Sequence, residues 1–144
     1  MELRDVDASN RARCEALEVN QDQRRFVSQV SEYLAGCEAG PWRPLAIESG
    51  GGVVGFAMWA PDPLDGSCTI GGLLIDRAHQ GRGVGRAAVL ALAEHLGERS
   101  ECSILAVTYH PENTPARRLY AAVGFRETGE LMEGEVVATR SVQA

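Results

Sequence analysis

Short runs of apolar residues, some continuous and some alternating with polar ones, divide the chain into predicted β-strands. Runs of this kind that are bounded by Gly, Pro, Asn or Asp are typical of strands. They predict strands over residues 2–6, 45–48, 53–59, 69–75, 104–109, 125–131 and 135–139. Three glycines at residues 50–52 predict a hairpin between the second and third strands. Two more glycines, Gly71 and Gly72, predict a bulge or a close backbone approach inside the fourth strand.

Apolar residues spaced by three or four positions predict four helices. The first two cover residues 11–19, with Asn10 as the cap, and residues 24–35. The third covers residues 84–97, and the fourth begins with Thr114 as the cap before Pro115 and ends at Gly124. The order of elements contains one strand–helix–strand unit together with hairpins. We therefore expect an α/β chain of the mixed α+β type, built on a mixed sheet.

The length of 144 residues corresponds to a single domain over residues 1–144. A hydrophobic content of 44% and a charged content of 24% are typical of globular proteins. The apolar runs are far shorter than the ~20 residues that cross a bilayer, and the N-terminus does not resemble a secretion signal. We therefore expect a cytoplasmic protein with no membrane partner.

The formal charge of −6 argues against a nucleic-acid partner, whose phosphates attract basic proteins. It is compatible with a cationic small molecule as substrate, although the same charge also favours solubility. The 14 basic residues are all Arg. Without lysine, covalent catalysis through a lysine Schiff base is excluded.

The cysteines and histidines do not form a metal-binding pattern. Cys14, Cys37, Cys68 and Cys102 are widely spaced and include no C-x-x-C pair, and the three histidines are scattered. We therefore assign no metal. In a cytoplasmic chain such cysteines are expected to be buried free thiols.

A glycine-rich turn at residues 80–86 joins a predicted strand to a predicted helix. The first turn of a helix has unpaired N–H groups and a partial positive charge, which attract phosphate. Gly81, Gly83 and Gly85 permit a positive φ and a close backbone approach. Positive charge is added by three arginines of the same region: Arg77, Arg82 and Arg86. The segment therefore predicts a phosphate-binding site.

Two common phosphate-binding motifs do not fit this turn. A nucleotide P-loop requires a lysine, which the chain lacks. A Rossmann dinucleotide site expects its glycines near the start of the domain and an acidic residue at the end of the next strand. Here the turn lies in the middle of the chain, and the strand over residues 104–109 ends without a carboxylate.

Gln80-Gly81-Arg82-Gly83-Val84-Gly85 instead resembles the Q/R-x-x-G-x-G/A motif of the GCN5-related N-acetyltransferases (GNAT), which binds the pyrophosphate of acetyl-CoA. Residues 113–125 are similar to the N-x-x-A-x-x-x-Y-x-x-x-G-F segment of that family. The resemblance covers residues 44–140. It implies a central, largely antiparallel mixed sheet of six to seven strands with about four helices. Segments 23–27, 54–58, 127–130 and 134–137 resemble bacterial diamine or spermidine N-acetyltransferases. That branch has an aromatic residue and an Arg where this chain has Thr69 and Gly72, both expected beside the substrate.

The resemblance also implies roles for individual residues. The backbone N–H groups of Leu73, Leu74 and Ile75 would hold the thioester oxygen, and Tyr120 would donate the proton to the leaving thiolate. Asn113 would contact the pantetheine or phosphate of the coenzyme, although its position before a helix also fits a cap. The remaining coenzyme contacts implied are Gln80, Gly81, Arg82, Gly83, Val84, Gly85 and Arg86. The general base stays open among Glu130, Glu135, Glu32 and Asp62.

The implied activity is transfer of an acetyl group from acetyl-CoA to a primary amine of a small basic substrate, such as a polyamine or diamine. Aminoglycosides and protein N-termini are alternative acceptors. A non-catalytic acyl-CoA-binding regulatory module is a rival of another class, which the presence of Tyr120 disfavours. A homodimer formed through the final strands is a further expectation.

Overall fold

The computed structural model describes residues 1–142 as one seven-stranded sheet with four α-helices. The strands are β1 (Glu2–Asp5), β2 (Arg43–Ser49), β3 (Gly52–Asp62), β4 (Ser67–Ile75), β5 (Ile104–Tyr109), β6 (Arg126–Met132) and β7 (Glu135–Ser141). The helices are α1 (Arg11–Glu15), α2 (Val30–Ala39), α3 (Val84–Gly97) and α4 (Thr114–Ala122). Among these residues, every helix is too short or too polar to traverse a lipid bilayer.

The sheet is mixed, as the sequence predicts. Its strand order is β1-β2-β3-β4-β5-β7-β6, and every neighbouring pair is antiparallel except β4 and β5. The parallel pair is the one joined by α3, because a parallel connection needs a crossover. The predicted hairpin turns are present: Gly50 and Gly51 both have a positive φ between β2 and β3. The turn between β6 and β7 falls at Glu133 and Gly134.

The core lies on both faces of the sheet. On one face, α3 packs Val89, Leu92 and Leu96 against the sheet, and all three are fully buried. On the other face, Cys14 of α1 and Leu34 of α2 pack with buried residues of β2, β3 and β4. Burial on both sides anchors β4, the strand that carries the glycine pair.

The predicted second helix over residues 24–35 is wrong at its start, because α2 begins only at Val30. Residues 21–23 form a single 3₁₀ turn, and residues 24–26 form turns. Phe26 and Val27, which supplied the apolar spacing, are half-buried and line cavities at the sheet, and Val27 also packs against the core beside α2. The first helix is also shorter than predicted and ends at Glu15. Asn10 does not cap it with a side-chain bond; its amide instead bonds Asp5 O and Asp7 N.

The glycine pair produces the expected bulge in β4. Phe56 pairs with Leu74 and Met58 pairs with Gly71, so β4 contains one more residue than β3 across this interval. On the other side, pairing between β4 and β5 runs only from Ser67 to Ile70. Beyond Ile70 the two parallel strands diverge. The edge of residues 71–75 that faces β5 therefore has no partner strand.

The expectation of four free thiols is wrong for two of them. Cys68 and Cys102 form a disulfide with a Cα–Cα distance of 5.3 Å, although they lie 34 residues apart. Cys68 is at the start of β4, and Cys102 lies two residues before the paired start of β5. The parallel pairing brings them together, which the sequence spacing does not reveal. Cys14 is a buried free thiol and Cys37 is a half-buried one.

Candidate active site

A cavity of about 250 Å³ opens where β4 and β5 diverge. We call it the first cavity. It is bounded by the second half of β4, the glycine turn, the start of α3 and one face of α4. Its lining contains every residue assigned to the site from the sequence except Arg82 and Arg86: Leu73, Leu74, Ile75, Gln80, Gly81, Gly83, Val84, Gly85, Asn113 and Tyr120. Residues distant in sequence thus meet at one place.

The glycine turn leaves the N-terminus of α3 open. Gly81 and Gly83 have φ values of 78° and 74°, in the left-handed region that favours glycine. A Cβ at either position would meet no atom within 4 Å. Glycine is therefore favoured by the backbone conformation and not by a lack of space. Gly83 precedes the first helical residue, and no side chain caps the helix. The unpaired N–H groups of this turn are therefore available to an anion.

The charges around this helix end are positive and partly uncommitted. The first turn of α3 has no acidic residue. Arg82 and Arg86 are exposed and make no ion pair or side-chain hydrogen bond within residues 1–142. Arg77 differs from the expectation, because its Nη2 lies 3.4 Å from Oε2 of Glu18. Two arginines rather than three are therefore free to meet a phosphate.

Tyr120 lies on α4 with its ring almost fully enclosed. Its side chain stacks on Tyr109 at a centroid distance of 5.7 Å and meets the edge of Phe125 at 5.4 Å. The residue is 7% exposed, and its hydroxyl has no hydrogen-bond partner in the described chain. Among residues 1–142, every completely buried side-chain N or O has a hydrogen-bond partner. The hydroxyl must therefore reach the accessible space of the cavity. Burial raises the pKa of Tyr120 well above its ordinary value, so the hydroxyl holds its proton at neutral pH.

A hydrogen-bonded group behind Tyr120 was not anticipated from the sequence. The Tyr109 hydroxyl donates to Oε2 of Glu127 at 2.7 Å, and Nε of Arg117 donates to the same oxygen at 2.7 Å. Burial, and then the bond to Glu127, raise the pKa of Tyr109 to about 12. The Tyr109 and Arg117 bonds lower the pKa of Glu127. This group fixes the ring on which Tyr120 stacks.

A second cavity of about 310 Å³ adjoins the first. The two share Phe26, Val27, Leu73, Asn113, Ala116 and Tyr120. The second cavity extends over the β4 bulge to Tyr33, Trp42 and His110. Thr69 and Gly72, expected to lie beside a substrate, both belong to its lining. Tyr120 therefore stands at the junction of two spaces, one of which adjoins the glycine turn.

Two carboxylates line the second cavity, Glu133 and Glu135. Neither forms an ion pair or side-chain hydrogen bond within the part of the chain that the structure describes. Glu135 was a base candidate from the sequence, whereas Glu133 was missed. Glu133 is the non-glycine residue with a positive φ, 52°, in the β6–β7 turn. The Glu-Gly pair between two predicted strands is a hairpin signal that could have placed Glu133 in this turn, although not in the cavity.

The other three base candidates lie elsewhere. Glu32 lines a third cavity, between α1 and α2, which shares Val19, Val27 and Leu74 with the first cavity but is not lined by Tyr120. Asp62 accepts a hydrogen bond from the backbone N–H of Leu64 and shapes the β3–β4 turn. Glu130 is exposed on the edge strand β6. Of the four, Glu135 is the one beside Tyr120's cavity.

Asn113 rather than Thr114 caps α4. Its Oδ1 accepts a hydrogen bond from the backbone N–H of Ala116 at 3.3 Å, and Pro115 follows in the first turn. The expected cap at Thr114 is therefore displaced by one residue. Asn113 lines both cavities as well, so the capping role does not remove it from the site.

Within residues 1–142, no group of three or more His, Cys, Asp or Glu side chains is arranged to hold a metal ion.

Three comparisons with known proteins agree on the kind of fold. The model of the "Acetyltransferase (GNAT) family" matches residues 11–125. The spermine/spermidine N(1)-acetyltransferase of Bacillus subtilis (strain 168) is 30% identical over 148 aligned residues, covering 97% of each chain. The aminoglycoside acetyltransferase AAC(6')-Ib in complex with coenzyme A superimposes with a TM-score of 0.83 at 19% identity, covering 98% of this chain and 94% of that one. The spermidine N-acetyltransferase of Vibrio cholerae, in complex with CoA and spermine, gives 0.75 at 16% identity, covering 99% and 95%.

Proposed function

The chain belongs to the acetyltransferase (GNAT) family and is an N-acetyltransferase, and on this premise we propose that it acetylates a primary amine of a polyamine or diamine. The acetyl group passes directly from acetyl-CoA to the amine while both are bound. The observation that carries the proposal is the meeting of two cavities at the Tyr120 side chain. The naming of a 30% identical relative as a spermine/spermidine N(1)-acetyltransferase supports the choice of acceptor.

The first cavity suits the coenzyme. Its glycine turn offers uncapped backbone N–H groups at the positive end of α3, and Arg82 and Arg86 add charge nearby. The pyrophosphate of acetyl-CoA would bind there. The pantetheine arm would then run between the unpartnered edge of β4 and α4, which brings the thioester towards Tyr120.

The second cavity suits an acceptor with more than one positive charge. Glu133 and Glu135 supply negative charge without a competing arginine, and Tyr33 and Trp42 supply aromatic faces that attract cations. An ammonium group away from the reacting amine would bind there. The protein's charge of −6 also favours the approach of a polycation.

The transfer makes three demands that the site can meet. The reacting amine must lose a proton, which for an ordinary alkylamine costs roughly 4–5 kcal/mol at neutral pH. Glu135, directly or through water, is the carboxylate placed to accept it. The thioester oxygen gains negative charge as the N–C bond forms, and the N–H groups on the open edge of Leu73–Ile75 would stabilise it.

Collapse of the tetrahedral intermediate breaks the C–S bond. The electron pair leaves on sulfur, and the Tyr120 hydroxyl donates the proton that converts the thiolate to free CoA. Burial raises the pKa of Tyr120, so the hydroxyl still carries its proton when the thiolate forms. The nitrogen of the intermediate carries one proton more than the amide product, and that proton passes through water to the Tyr120 phenolate, which restores the hydroxyl. The products are the N-acetylated amine and CoA.

The proposal is tested with a panel of acceptor amines. For each amine, release of the CoA thiol from acetyl-CoA by the protein is measured. Spermidine and spermine should give kcat/KM values at least about tenfold above those of a monoamine of similar length, because a second ammonium meets a carboxylate. Equal values for the monoamine would exclude the polyamine assignment. A preference for kanamycin or for a peptide N-terminus would select one of those acceptors instead. Binding of acetyl-CoA without release by any amine would indicate a regulatory module.

A matched pair of variants locates the acceptor. Glu133→Gln removes a charge from the second cavity without removing the proposed base, whereas Glu130→Gln removes one from the exposed edge strand. We expect only the first to raise the spermidine KM, by about tenfold, with the monoamine KM unaffected. Equal effects of the two variants would show that overall charge, rather than this cavity, attracts the acceptor. Cytoplasmic residence, a single domain and a homodimer stay predictions, and sedimentation of the full chain tests the last.

A further inference from the structure

The segment between α1 and α2 crosses the junction of the two cavities. We call residues 18–27 the strap. At its first end, the backbone N–H of Arg77 donates to the carbonyl of Glu18 at 2.7 Å, and the N–H of Glu18 donates to Oδ1 of Asp76 at 3.0 Å. The strap is thereby joined to the connection between β4 and α3, immediately before the glycine turn.

The side-chain amide of Gln80 also holds the strap, through both its nitrogen and its oxygen. Nε2 donates to Oε1 of Gln23 and to the carbonyl of Ile75, both at 2.8 Å. Oε1 accepts from Nδ2 of Asn20 at 2.7 Å. A glutamine amide has two N–H donors, and both are used within the protein. Gln80 therefore has no side-chain donor left for a phosphate, although it opens the glycine motif.

The other end of the strap reaches the loop that follows β5. Nη2 of Arg25 lies 3.8 Å from Oε2 of Glu112. The Phe26 ring lies 5.4 Å from the His110 ring, and the Arg25 guanidinium lies 4.4 Å above Phe26. The strap thus contacts both sides of the cleft between β4 and β5.

Phe26 and Val27 line the first and the second cavity alike. They border the same junction as Tyr120. A shift of the strap at Gln80 would therefore move the side chains of Phe26 and Val27. Under the proposed function, the coenzyme turn and the acceptor cavity are therefore mechanically connected through the strap, and Gln80 is the residue of the turn itself that holds it.

We propose that Gln80 is a positioning residue for the acceptor, which holds the strap across the junction, and that its side chain is not a coenzyme ligand. This inference rests on the proposed division of the two cavities between acetyl-CoA and an amine. It reassigns a residue that the family motif alone would place on the coenzyme.

Gln80→Ala tests the assignment through two separate constants. Loss of the two hydrogen bonds to the strap should raise the acceptor KM by about tenfold or more. Val19 and Gln23 of the strap line the first cavity as well. The acetyl-CoA Kd, measured by calorimetry, should nevertheless change less than about threefold, since the backbone of residues 81–85, which is proposed to hold the pyrophosphate, keeps its glycines. Arg82→Gln is the matched control in the same turn. It should do the reverse, weakening acetyl-CoA binding while leaving the acceptor KM unaltered.

Gln23→Ala gives the partner measurement from the strap. The two substitutions break a shared bond, so Gln80→Ala and Gln23→Ala should raise the acceptor KM by similar factors, and the double variant should add little. A tenfold loss of acetyl-CoA affinity in Gln80→Ala, with an unaltered acceptor KM, would overturn the proposal. Fully multiplicative effects of the two substitutions would also overturn it.

Amide hydrogen exchange separates this proposal from the choice of acceptor. In Gln80→Ala, exchange should accelerate within residues 20–27 while α3 stays protected. This result does not depend on any amine being accepted, so a failed acceptor panel with a loosened strap would refute only the polyamine assignment. Unchanged exchange in the strap would refute the role of Gln80.

Discussion

Replacing Tyr120 with Phe removes one oxygen atom from the junction of the two cavities. The ring contacts with Tyr109 and Phe125 do not involve that oxygen. The hydroxyl has no hydrogen-bond partner in the described chain, so its loss leaves no protein donor or acceptor unpaired. We expect the free energy of unfolding to change by less than about 1 kcal/mol.

The catalytic effect should be far larger than the effect on stability. A positioned general acid contributes roughly 10²- to 10⁴-fold to a rate. The lower end applies here, because a thiolate whose conjugate acid has a pKa of about 8.5 leaves without much assistance. We therefore expect kcat to fall about 100-fold, which corresponds to about 2.7 kcal/mol of transition-state stabilisation. The acetyl-CoA KM should change less than about threefold, because the hydroxyl is not among the groups proposed to hold the pyrophosphate.

Initial rates of CoA release, measured with saturating acceptor, give both constants for the wild type and for Tyr120→Phe. Thermal unfolding of the same samples shows whether the fold is retained. An unchanged kcat would remove Tyr120 from the mechanism. A raised acetyl-CoA KM with normal kcat would make the hydroxyl a coenzyme contact instead of the acid.

Three further predictions concern the turn, the disulfide and the buried tyrosine. Gly83→Ala places a Cβ on a residue whose φ is 74°, which costs about 1–2 kcal/mol of backbone strain. We expect the acetyl-CoA KM to rise about tenfold, and an unaltered KM would exclude this turn as the phosphate site. Reduction of the Cys68–Cys102 disulfide should lower the Tm measured by calorimetry by roughly 10 °C, because the bond closes a loop of 34 residues. An unchanged Tm, or the absence of the disulfide in mass spectrometry, would contradict this prediction. The raised pKa of Tyr109 means that its contribution to stability is complete below its ordinary pKa of 10 and is lost between there and about pH 12. Tyr109→Phe should therefore delete an absorbance step near pH 12, and loss of a step near pH 10 would contradict the bond to Glu127.

The parts of the fold that the sequence predicts well are those with strong local signals. The bounds of α3 and β5 match the predicted ranges 84–97 and 104–109. The first is a long helix that follows a glycine turn, and the second is a continuous apolar run, so neighbouring residues suffice to define them. The bulge in β4 follows in the same way from Gly71 and Gly72.

The parts that local patterns miss depend on contacts between distant residues. Residues 24–29 have helical spacing, yet the bonds between Gln80 and the preceding residues Asn20 and Gln23 hold the adjoining segment across the cleft. The Cys68–Cys102 pair arises from parallel strand pairing, which spacing in the sequence cannot show.

The same contrast between local sequence signals and long-range contacts applies to the site. The two motifs identify most residues of the first cavity, because each motif is contiguous. The second cavity is assembled from six separate parts of the chain, and its carboxylate Glu133 carries no motif. Individual acceptor contacts therefore become visible only after folding.

A crystal structure of the protein with CoA and spermine bound together tests the central claim most directly. We expect the pyrophosphate to contact the backbone of residues 81–85, the sulfur to lie within hydrogen-bond reach of the Tyr120 hydroxyl, and the amine to extend past Glu135. A diphosphate bound away from α3 would contradict the account. So would spermine in the cavity between α1 and α2, with the space beside Tyr120 left empty.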